Sequence, residues 1–222
     1  MARLEGLVAA VSRGQDGVGS AIGDAYRQEG ASVVLDDAGD ADRAAERVVD
    51  AAVERFERLD VLVLVLPADR PRAQIASMED EQWIGTVDAT LHHVFWGIRR
   101  ALQHMIPREH GRIVVVSSVA AKLAVPGHAA RAATEHAVTG LVKSVAHEVG
   151  THGIKVNALL RGVLEDEHSD PAGDTAAFVE RSTIKRPNTV DEVAQAAVLL
   201  ASPVLSSLTG CLFPVDGGTM PY

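Results

Sequence analysis

Arg131 and Glu135 are the first candidates for chemistry in this chain, because they lie four positions apart in a segment that predicts a helix. Residues with this spacing share a helix face and can form an ion pair. One interpretation is an ordinary ion pair on a surface or in a groove, worth roughly a few tenths of a kcal/mol. The other is that Arg131 anchors an oxyanion or a carboxylate, while Glu135 orients the guanidinium or serves as a base. The sequence leaves both interpretations open.

Histidines supply further candidate acids and bases. His128 comes just before the predicted helix that carries Arg131, and His92, His93 and His136 lie on predicted helices. An imidazole titrates near neutrality, although a structural role is commoner for a single histidine. The segment 165–170 also holds carboxylates and a histidine, but without the fixed spacing of a metal site. We therefore predict no metal site and interpret this segment as a solvated acidic loop.

Apolar runs that alternate with amphipathic segments define the elements that must position these residues. Short apolar runs predict strands at 7–11, 33–35, 61–66, 111–118, 155–160 and 212–215. Helical periodicity follows the glycine-rich turn as far as residue 30 and recurs at 42–58, 78–105, 129–149 and 191–201. This alternation predicts an α/β fold, a doubly wound parallel sheet flanked by helices. We expect one globular domain that spans residues 1–222.

Composition and charge narrow the choice of partners. The chain has 222 residues, 47% of them hydrophobic, and a formal net charge of −9. Without a basic stripe, this charge argues against nucleic acid and anionic membranes as partners. No apolar run reaches the roughly 18 residues of a membrane span, and the N-terminus lacks an apolar signal core. The single Cys211 excludes an intramolecular disulfide. These features predict a cytoplasmic protein.

Several motifs resemble those of the short-chain dehydrogenase/reductase family. The run 111–118 resembles the family's fifth strand, which ends in a serine, here Ser118. Pro126-Gly127 and the run 137–141 frame the position of the family's Y-x-x-x-K motif. Further matches lie at 59–63, 153–158 and 215–218. The resemblance therefore covers almost the whole chain and implies a Rossmann-like fold, although a fold does not by itself specify an activity.

The catalytic residues that this resemblance implies are mostly replaced. Ser118 matches the serine that polarises a substrate carbonyl, but Arg131 stands at the tyrosine position and Glu135 at the lysine position. Thr90 stands where the family has a catalytic asparagine. Carbonyl reduction needs a general acid near neutral pH, and an arginine, with a pKa above about 12, cannot serve. We therefore expect no competent hydride-transfer site and interpret the chain as a degenerate family member, a pseudoenzyme for reduction.

The glycine-rich turn is altered as well. Against the family's T-G-x-x-x-G-x-G pattern, Ser12 replaces the threonine, Arg13 replaces the first glycine and Gly14 comes one position late. Glycine allows the backbone to approach a pyrophosphate at a helix N-terminus. Arg13 either crowds that approach or contacts a phosphate directly. The candidate cofactor-binding residues are Ser12, Arg13, Gly14, Gly17, Gly19 and Asp37.

Two more departures concern the same cleft. Only a short connection separates Asp37 from the helix at 42–58, so the family's third strand, at the edge of the sheet, is expected to be missing. Arg161-Gly162 replaces the proline and glycine that shape the family's nicotinamide pocket. The candidate catalytic residues are Ser118, His128, Arg131, Glu135 and Arg161. We expect no bound cofactor, while NAD(P) stays an alternative.

Three functions stay open. The first is a non-redox enzyme, such as a cyclase, lyase or dehydratase, that acts on a small carbonyl or polyketide-like substrate. The second is a non-catalytic subunit that pairs with an active family member through the two long helices around the strand 111–118. The third is an NAD(P)-dependent oxidoreductase with an unrecognised proton donor, for which Tyr222 of a neighbouring subunit is one candidate. The resemblance also implies a homo-oligomer, a dimer or tetramer, or a hetero-oligomer.

Overall fold

Parallel strands form one sheet in the computed structural model, which describes residues 2–15, 17–36, 43–67, 72–165 and 174–220. The six strands found in these ranges are β1 (Val8–Val11), β2 (Ser32–Leu35), β3 (Val61–Val65), β4 (Gly111–Ser118), β5 (Ile154–Arg161) and β6 (Leu212–Val215). Their order in the sheet is β2-β1-β3-β4-β5-β6, and each neighbouring pair is parallel. This confirms the Rossmann-like doubly wound sheet that the sequence predicts.

Helices fill the connections between the strands. Those in the described ranges are α1 (Gly17–Gln28), α2 (Ala44–Phe56), α3 (Asp80–Val87), α4 (His93–Met105), α5 (Ala129–Val149), α6 (Asp174–Arg181) and α7 (Val190–Ala201). A π-helical turn, Asp88–His92, joins α3 to α4, so that the two follow each other as the long helix predicted at 78–105. No part of the described chain forms a helix long and apolar enough to cross a membrane.

The sheet is covered on both faces. Leu62 and Leu64 of β3 pack into a core with α2, α4 and α5, whereas Val61 and Val63 of the same strand pack into a second core with α1 and α7. Successive residues of a strand point to opposite faces, so both sets of side chains are buried and the strand sequences are continuously apolar. The two cores hold the strands in place, and functional groups lie where the strands end.

The sheet edge next to β2 lacks the strand that the family resemblance implies. Within the described residues β2 ends the sheet on this side, and no further strand pairs with it. Only residues 37–42 of the connection from β2 to α2 lie outside the described ranges. A helix followed by a strand needs far more chain than six residues, since one strand alone takes about five. The predicted loss of the third strand is therefore confirmed.

The candidate residues lie together at the carboxyl ends of the strands, which form one end of the sheet. Ser12 and Arg13 follow β1, Ser118 ends β4, and Arg161 ends β5. Ser118 and Arg161 are paired in the register of β4 and β5. Ligands of open α/β sheets bind at this edge, in the crevice beyond the strand ends. The fold thus gathers residues that are distant in sequence into one candidate site.

Candidate functional site

The carboxylate of Glu135 is the centre of a buried polar network between α5 and the end of β4. Its Oε2 accepts hydrogen bonds from the Oγ of Ser117 at 2.7 Å, from the backbone N of Ser118 at 2.9 Å and from the Oγ of Ser118 at 2.8 Å. Its Oε1 accepts one from the Nε of Arg131 at 2.7 Å. Glu135 is only 2% exposed, so the pair with Arg131 is a buried ion pair and not a surface one.

The hydroxyl group of Ser118 has all of its hydrogen-bonding capacity in use. A serine hydroxyl has one proton to donate and two lone pairs to accept with. Its proton goes to Glu135, and its oxygen accepts from the backbone N of Ala120 at 3.1 Å and from the Nη2 of Arg131 at 3.1 Å. A substrate carbonyl that took the place of Glu135 as acceptor would have to break this arrangement. In this conformation Ser118 therefore has no proton left with which to polarise a carbonyl.

The charge state of Glu135 follows from the same contacts. Burial favours the neutral acid, but the charge of Arg131 and the hydrogen bonds from Arg131, Ser117 and Ser118 outweigh burial. The pKa of Glu135 consequently lies below its ordinary value of 4.5. A buried carboxylate with a lowered pKa and four donors is a weak base, since each donor stabilises the charged form. This favours the orienting role of Glu135 over the role of a base.

Arg161 and His128 lie at the same edge of the sheet. Arg161 is 5% exposed, and its Nη1 donates to the carbonyl of Gly162 at 3.0 Å. His128 comes directly before α5 and is partly buried. The structure thus brings both residues to the end of the sheet where Ser118 lies, while their part in any chemistry stays a prediction.

The turn after β1 connects to α4 through a contact that the sequence did not reveal. The Oγ of Ser12 accepts from the backbone N of Val65 at 3.1 Å and lies 3.0 Å from the Nε2 of His93. Ser12 and His93 are both buried. One indication of this contact is present in the sequence: His93 lies on the apolar side of α4, beside Val94 and Gly97. His93 is therefore a residue that positions the glycine-rich turn.

Arg13 has a left-handed backbone conformation, which favours glycine. Its φ is 52°, in the left-handed region, and its Nη2 donates to the carbonyl of Ala89 at 3.4 Å. Ala89 belongs to the π-helical turn, which also holds the buried Thr90, where the family resemblance implies an asparagine. The side chain of Arg13 thus reaches from the glycine-rich turn to the helix on the other side of the cleft. A π-helical turn often marks a functional site.

The glycines of the turn are required by their surroundings. Gly17 has a φ of 53°, and a Cβ at Gly19 would collide with the carbonyl oxygen of Arg13. A Cβ at Gly14 would lie 2.6 Å from the Cβ of Leu35. The predicted cofactor residue Asp37 lies outside the described residues; Asp36 before it is buried, and its carbonyl accepts from the backbone N of Gly14 at 3.2 Å. The turn therefore keeps the close approach to α1 that the family pattern implies.

These residues fit a dinucleotide at one end of the cleft only. The turn at Gly17 and Gly19 leads into the N-terminus of α1, and such a terminus attracts phosphate groups. At the reacting end, Glu135 places a negative charge where the family resemblance implies a lysine, and the Ser118 proton is donated to Glu135. The phosphate end is compatible with NAD(P), whereas the reacting end does not fit nicotinamide chemistry.

The fold and the cleft define a Rossmann-like α/β protein with a site at the carboxyl ends of β1, β4 and β5. A family model described as enoyl-(acyl carrier protein) reductase matches residues 40–220. A 3-oxoacyl-[acyl-carrier-protein] reductase of Thermotoga maritima is 30% identical over 97% of this chain and 98% of its own length. (+)-Borneol dehydrogenase 2 of Salvia officinalis is 32% identical over 97% of this chain and 90% of its own length.

The structural comparison agrees with these sequence relatives. A mutant of a Serratia marcescens short-chain dehydrogenase/reductase superimposes with a TM-score of 0.88 at 26% identity, over 98% of this chain and 99% of that one. The chain belongs to the short-chain dehydrogenase/reductase family. Several relatives are named as reductases or dehydrogenases. Their names do not support the expectation that the chain binds no cofactor, and NAD(P) stays compatible with the fold.

Proposed function

We propose that this chain is a family member that has lost hydride transfer and serves as a non-catalytic subunit of an oligomer. The observation that carries the proposal is the hydrogen bond from the Oγ of Ser118 to the Oε2 of Glu135 at 2.8 Å. It uses the one proton with which this serine could polarise a carbonyl. The guanidinium of Arg131, at the tyrosine position, does not release a proton in proteins. A carbonyl in this cleft would therefore meet neither of the family's two hydroxyl donors.

Exposed apolar side chains support the role of a subunit. Trp83 and Ile84 on α3 are 40% and 56% exposed, and Phe95 on α4 is 42% exposed. The family resemblance implies subunit contacts through the long helices on either side of β4, which correspond to the continuous segment from α3 to α4 and to α5. Large apolar groups on such a surface gain free energy when a second subunit covers them. We infer a homo-oligomer or a hetero-oligomer with an active family member.

A second candidate function is a non-redox enzyme for a small carbonyl or polyketide-like substrate. The side chain of Arg131 is 20% exposed, and the imidazole of His128 lies one turn before it on the chain. A partly exposed guanidinium can bind an oxyanion or a carboxylate, and an imidazole can transfer a proton near neutral pH. This function needs a base other than Glu135, because that carboxylate already has four donors.

The relatives favour a third candidate, an NAD(P)-dependent oxidoreductase. Identity of 30% over 97% of the chain with a named reductase is the observation in its favour. This function requires a proton donor from outside the Ser118 network. Tyr222, the candidate from the sequence, lies outside the described residues.

Titration and turnover distinguish the three candidates. Calorimetric titration with NADH and NADPH is combined with assays of 3-oxoacyl thioesters and small ketones, each with and without nicotinamide. We expect no turnover in either series and an oligomeric mass in solution. Turnover that requires nicotinamide would establish the third candidate, and turnover without it the second; either result overturns the non-catalytic role.

A variant that restores the family motif tests whether positions 131 and 135 account for the loss of hydride transfer. Arg131→Tyr combined with Glu135→Lys removes the acceptor of the Ser118 proton and supplies the phenol and the ammonium group of the family. Reductase activity in this double variant, with none in the natural chain, would assign the loss to these two positions. Equal and measurable reductase activity in both proteins would contradict the proposal.

A further inference from the structure

Basic side chains lie together at the amino ends of β3 and β4. Ser118 lies at the other end of the sheet, where the strands have their carboxyl ends. They are Arg58, Arg108, His110 and Arg112, and they surround the carboxylate of Asp60, which is fully buried. Asp60 lies directly before β3, and the backbone N of Arg112 in β4 donates to its carbonyl at 2.9 Å. We call these four basic residues the amino-edge cluster. None of them contributes to the functions proposed above.

Asp60 has all of its acceptor positions in use. Its Oδ2 accepts from the backbone N of Val8 at 2.9 Å and from the Nε of Arg58 at 2.9 Å. Its Oδ1 accepts from the Nη2 of Arg58 at 2.9 Å and from the Nη2 of Arg108 at 3.1 Å. Burial disfavours its charged form, but these hydrogen bonds and the two guanidinium charges outweigh burial and lower the pKa of Asp60. Asp60 is thus an ionised carboxylate that two arginines already saturate.

Arg112 is the arginine of the cluster whose side chain forms no hydrogen bond with the carboxylate of Asp60. It is 6% exposed, and its Nε has no hydrogen-bond partner in the part of the chain that the structure describes. Burial lowers the pKa of His110, and the nearby charge of Arg112 lowers it further. Burial also lowers the pKa of Arg112, and the charge of Asp60 partly offsets this effect. A buried guanidinium that lacks a hydrogen-bonded counter-ion costs free energy.

The charge balance of the cluster is positive. Three guanidinium groups against one carboxylate leave two positive charges, and protonation of His110 would add a third. Glu57 and Glu109 are neighbours in sequence, but both are exposed and neither forms an ion pair with the cluster among the described residues. The side chains of Arg58, Arg108 and His110 are 42%, 34% and 41% exposed. The cluster therefore combines excess positive charge with access from solvent.

We propose that the amino-edge cluster binds a phosphate group, either as free phosphate or as a phosphate monoester. Guanidinium groups match the oxygen spacing of phosphate and donate in pairs to it. A phosphate dianion would balance the two excess charges and supply the counter-ion that the guanidinium of Arg112 lacks among the described residues. Because the cluster lies at the other edge of the sheet, this binding is independent of the chemistry at Ser118.

Thermal unfolding with added phosphate tests the proposal. The melting temperature is measured in inorganic phosphate, in glycerol phosphate and in sodium chloride of equal ionic strength. We expect a saturable rise with the first two and a smaller, non-saturating change with chloride, because a ligand stabilises the folded state that binds it. The ligand that saturates at the lower concentration identifies whether free phosphate or a monoester is the better occupant.

Arg112→Met is the main variant, and Arg181→Met is its matched control. Arg181 is an exposed arginine at the end of α6, so both variants lose one positive charge. We expect Arg112→Met to weaken phosphate binding about tenfold or more, because hydrogen bonds to a charged group are lost, and Arg181→Met to leave it unchanged. Without phosphate, Arg112→Met should be at least as stable as the natural chain, since it removes a buried charge.

A second variant and the pKa of His110 test phosphate binding independently of Arg112→Met. Arg108→Gln, a change at a more exposed position, should also weaken binding. In the natural chain, phosphate should raise the pKa of the His110 imidazole, followed by its NMR signals, because a nearby anion favours the protonated ring. Equal phosphate binding by the natural chain and Arg112→Met would overturn the proposal. So would a chloride effect as large as that of phosphate.

Discussion

Glu135 stands where the family resemblance implies a lysine, so it places a negative charge beside Ser118, and the donors around it point to this carboxylate. Ser117, Ser118 and Arg131 together provide four hydrogen bonds to Glu135. Arg131, where the same resemblance implies a tyrosine, balances the buried carboxylate with a charge and a hydrogen bond at 2.7 Å. The two residues are thus physically coupled: either one alone would leave a buried charge without its partner.

Glu135→Gln should reduce the free energy of unfolding by about 3 kcal/mol, because it leaves the guanidinium of Arg131 without its buried counter-ion. Urea denaturation measures the change. The control is Asp24→Asn, which breaks an exposed ion pair with Arg27 and should have too small an effect to measure. Equal effects of the two substitutions would show that the network contributes no more stability than a surface pair.

The same carboxylate predicts how stability depends on pH. The pKa of Glu135 is lowered from 4.5 in the folded protein, so the unfolded chain binds more protons between the two pKa values. The stabilisation by Glu135 is therefore complete above the unfolded pKa and is lost as the pH falls through the folded one. The difference in melting temperature between the natural chain and Glu135→Gln should shrink from about pH 6 to about pH 3. A difference in melting temperature that does not change with pH would contradict this prediction. Asp60 also titrates with a lowered pKa, but it is present in both proteins, so its contribution does not affect the difference.

Residue spacing predicted the partners at this site but not their surroundings. The four-residue spacing of Arg131 and Glu135 was enough to predict their ion pair, and the match of β4 to a family strand placed Ser118 near them. The burial of the pair depends on how α5 packs against the end of β4, which is a contact between distant parts of the chain. The hydrogen bond between Ser12 and His93 is hidden for the same reason, since the two residues are 81 positions apart.

The turn between β1 and α1 is packed so closely that it leaves no room for a Cβ at Gly19. Gly19→Ala should cost about 2 kcal/mol, because a Cβ there collides with the backbone of Arg13. Gly85→Ala is the matched control: nothing lies within 4 Å of its added Cβ, and alanine should stabilise α3 by about 0.5 to 1 kcal/mol. Chemical denaturation measures the free energy of unfolding of both variants. A change of the same sign in both would contradict the tight packing of the turn.

Most elements were predictable because each strand is a short apolar run covered on both faces. The predicted strands at 61–66 and 212–215 correspond to β3 (Val61–Val65) and β6 (Leu212–Val215). The helix α6 was missed, because it is short and follows an acidic segment whose composition is typical of a loop. The π-helical turn was also missed: apolar periodicity does not distinguish one wider turn within a long helix from the regular helix around it.

At the scale of the whole molecule, the two edges of the sheet have separate electrostatic properties. The carboxyl edge holds the Glu135 network, in which the charges of Arg131 and Glu135 cancel. The amino edge holds the amino-edge cluster, with two positive charges in excess. In a chain with a formal net charge of −9, such an excess is local and is not a property of the overall composition.

Substitution of Phe95 tests whether the outer face of α4 is a subunit contact. Phe95 is 42% exposed, and the guanidinium of Arg99 lies 5.1 Å from the centre of its ring. Phe95→Asp would place a charge in an apolar contact, where it loses its hydration, so the oligomer should dissociate into folded monomers. Val204→Asp is the control, because Val204 is 76% exposed and follows α7 on the opposite face of the sheet. Light scattering after size exclusion measures the masses, and dissociation of both variants, or of neither, would place the subunit contact elsewhere.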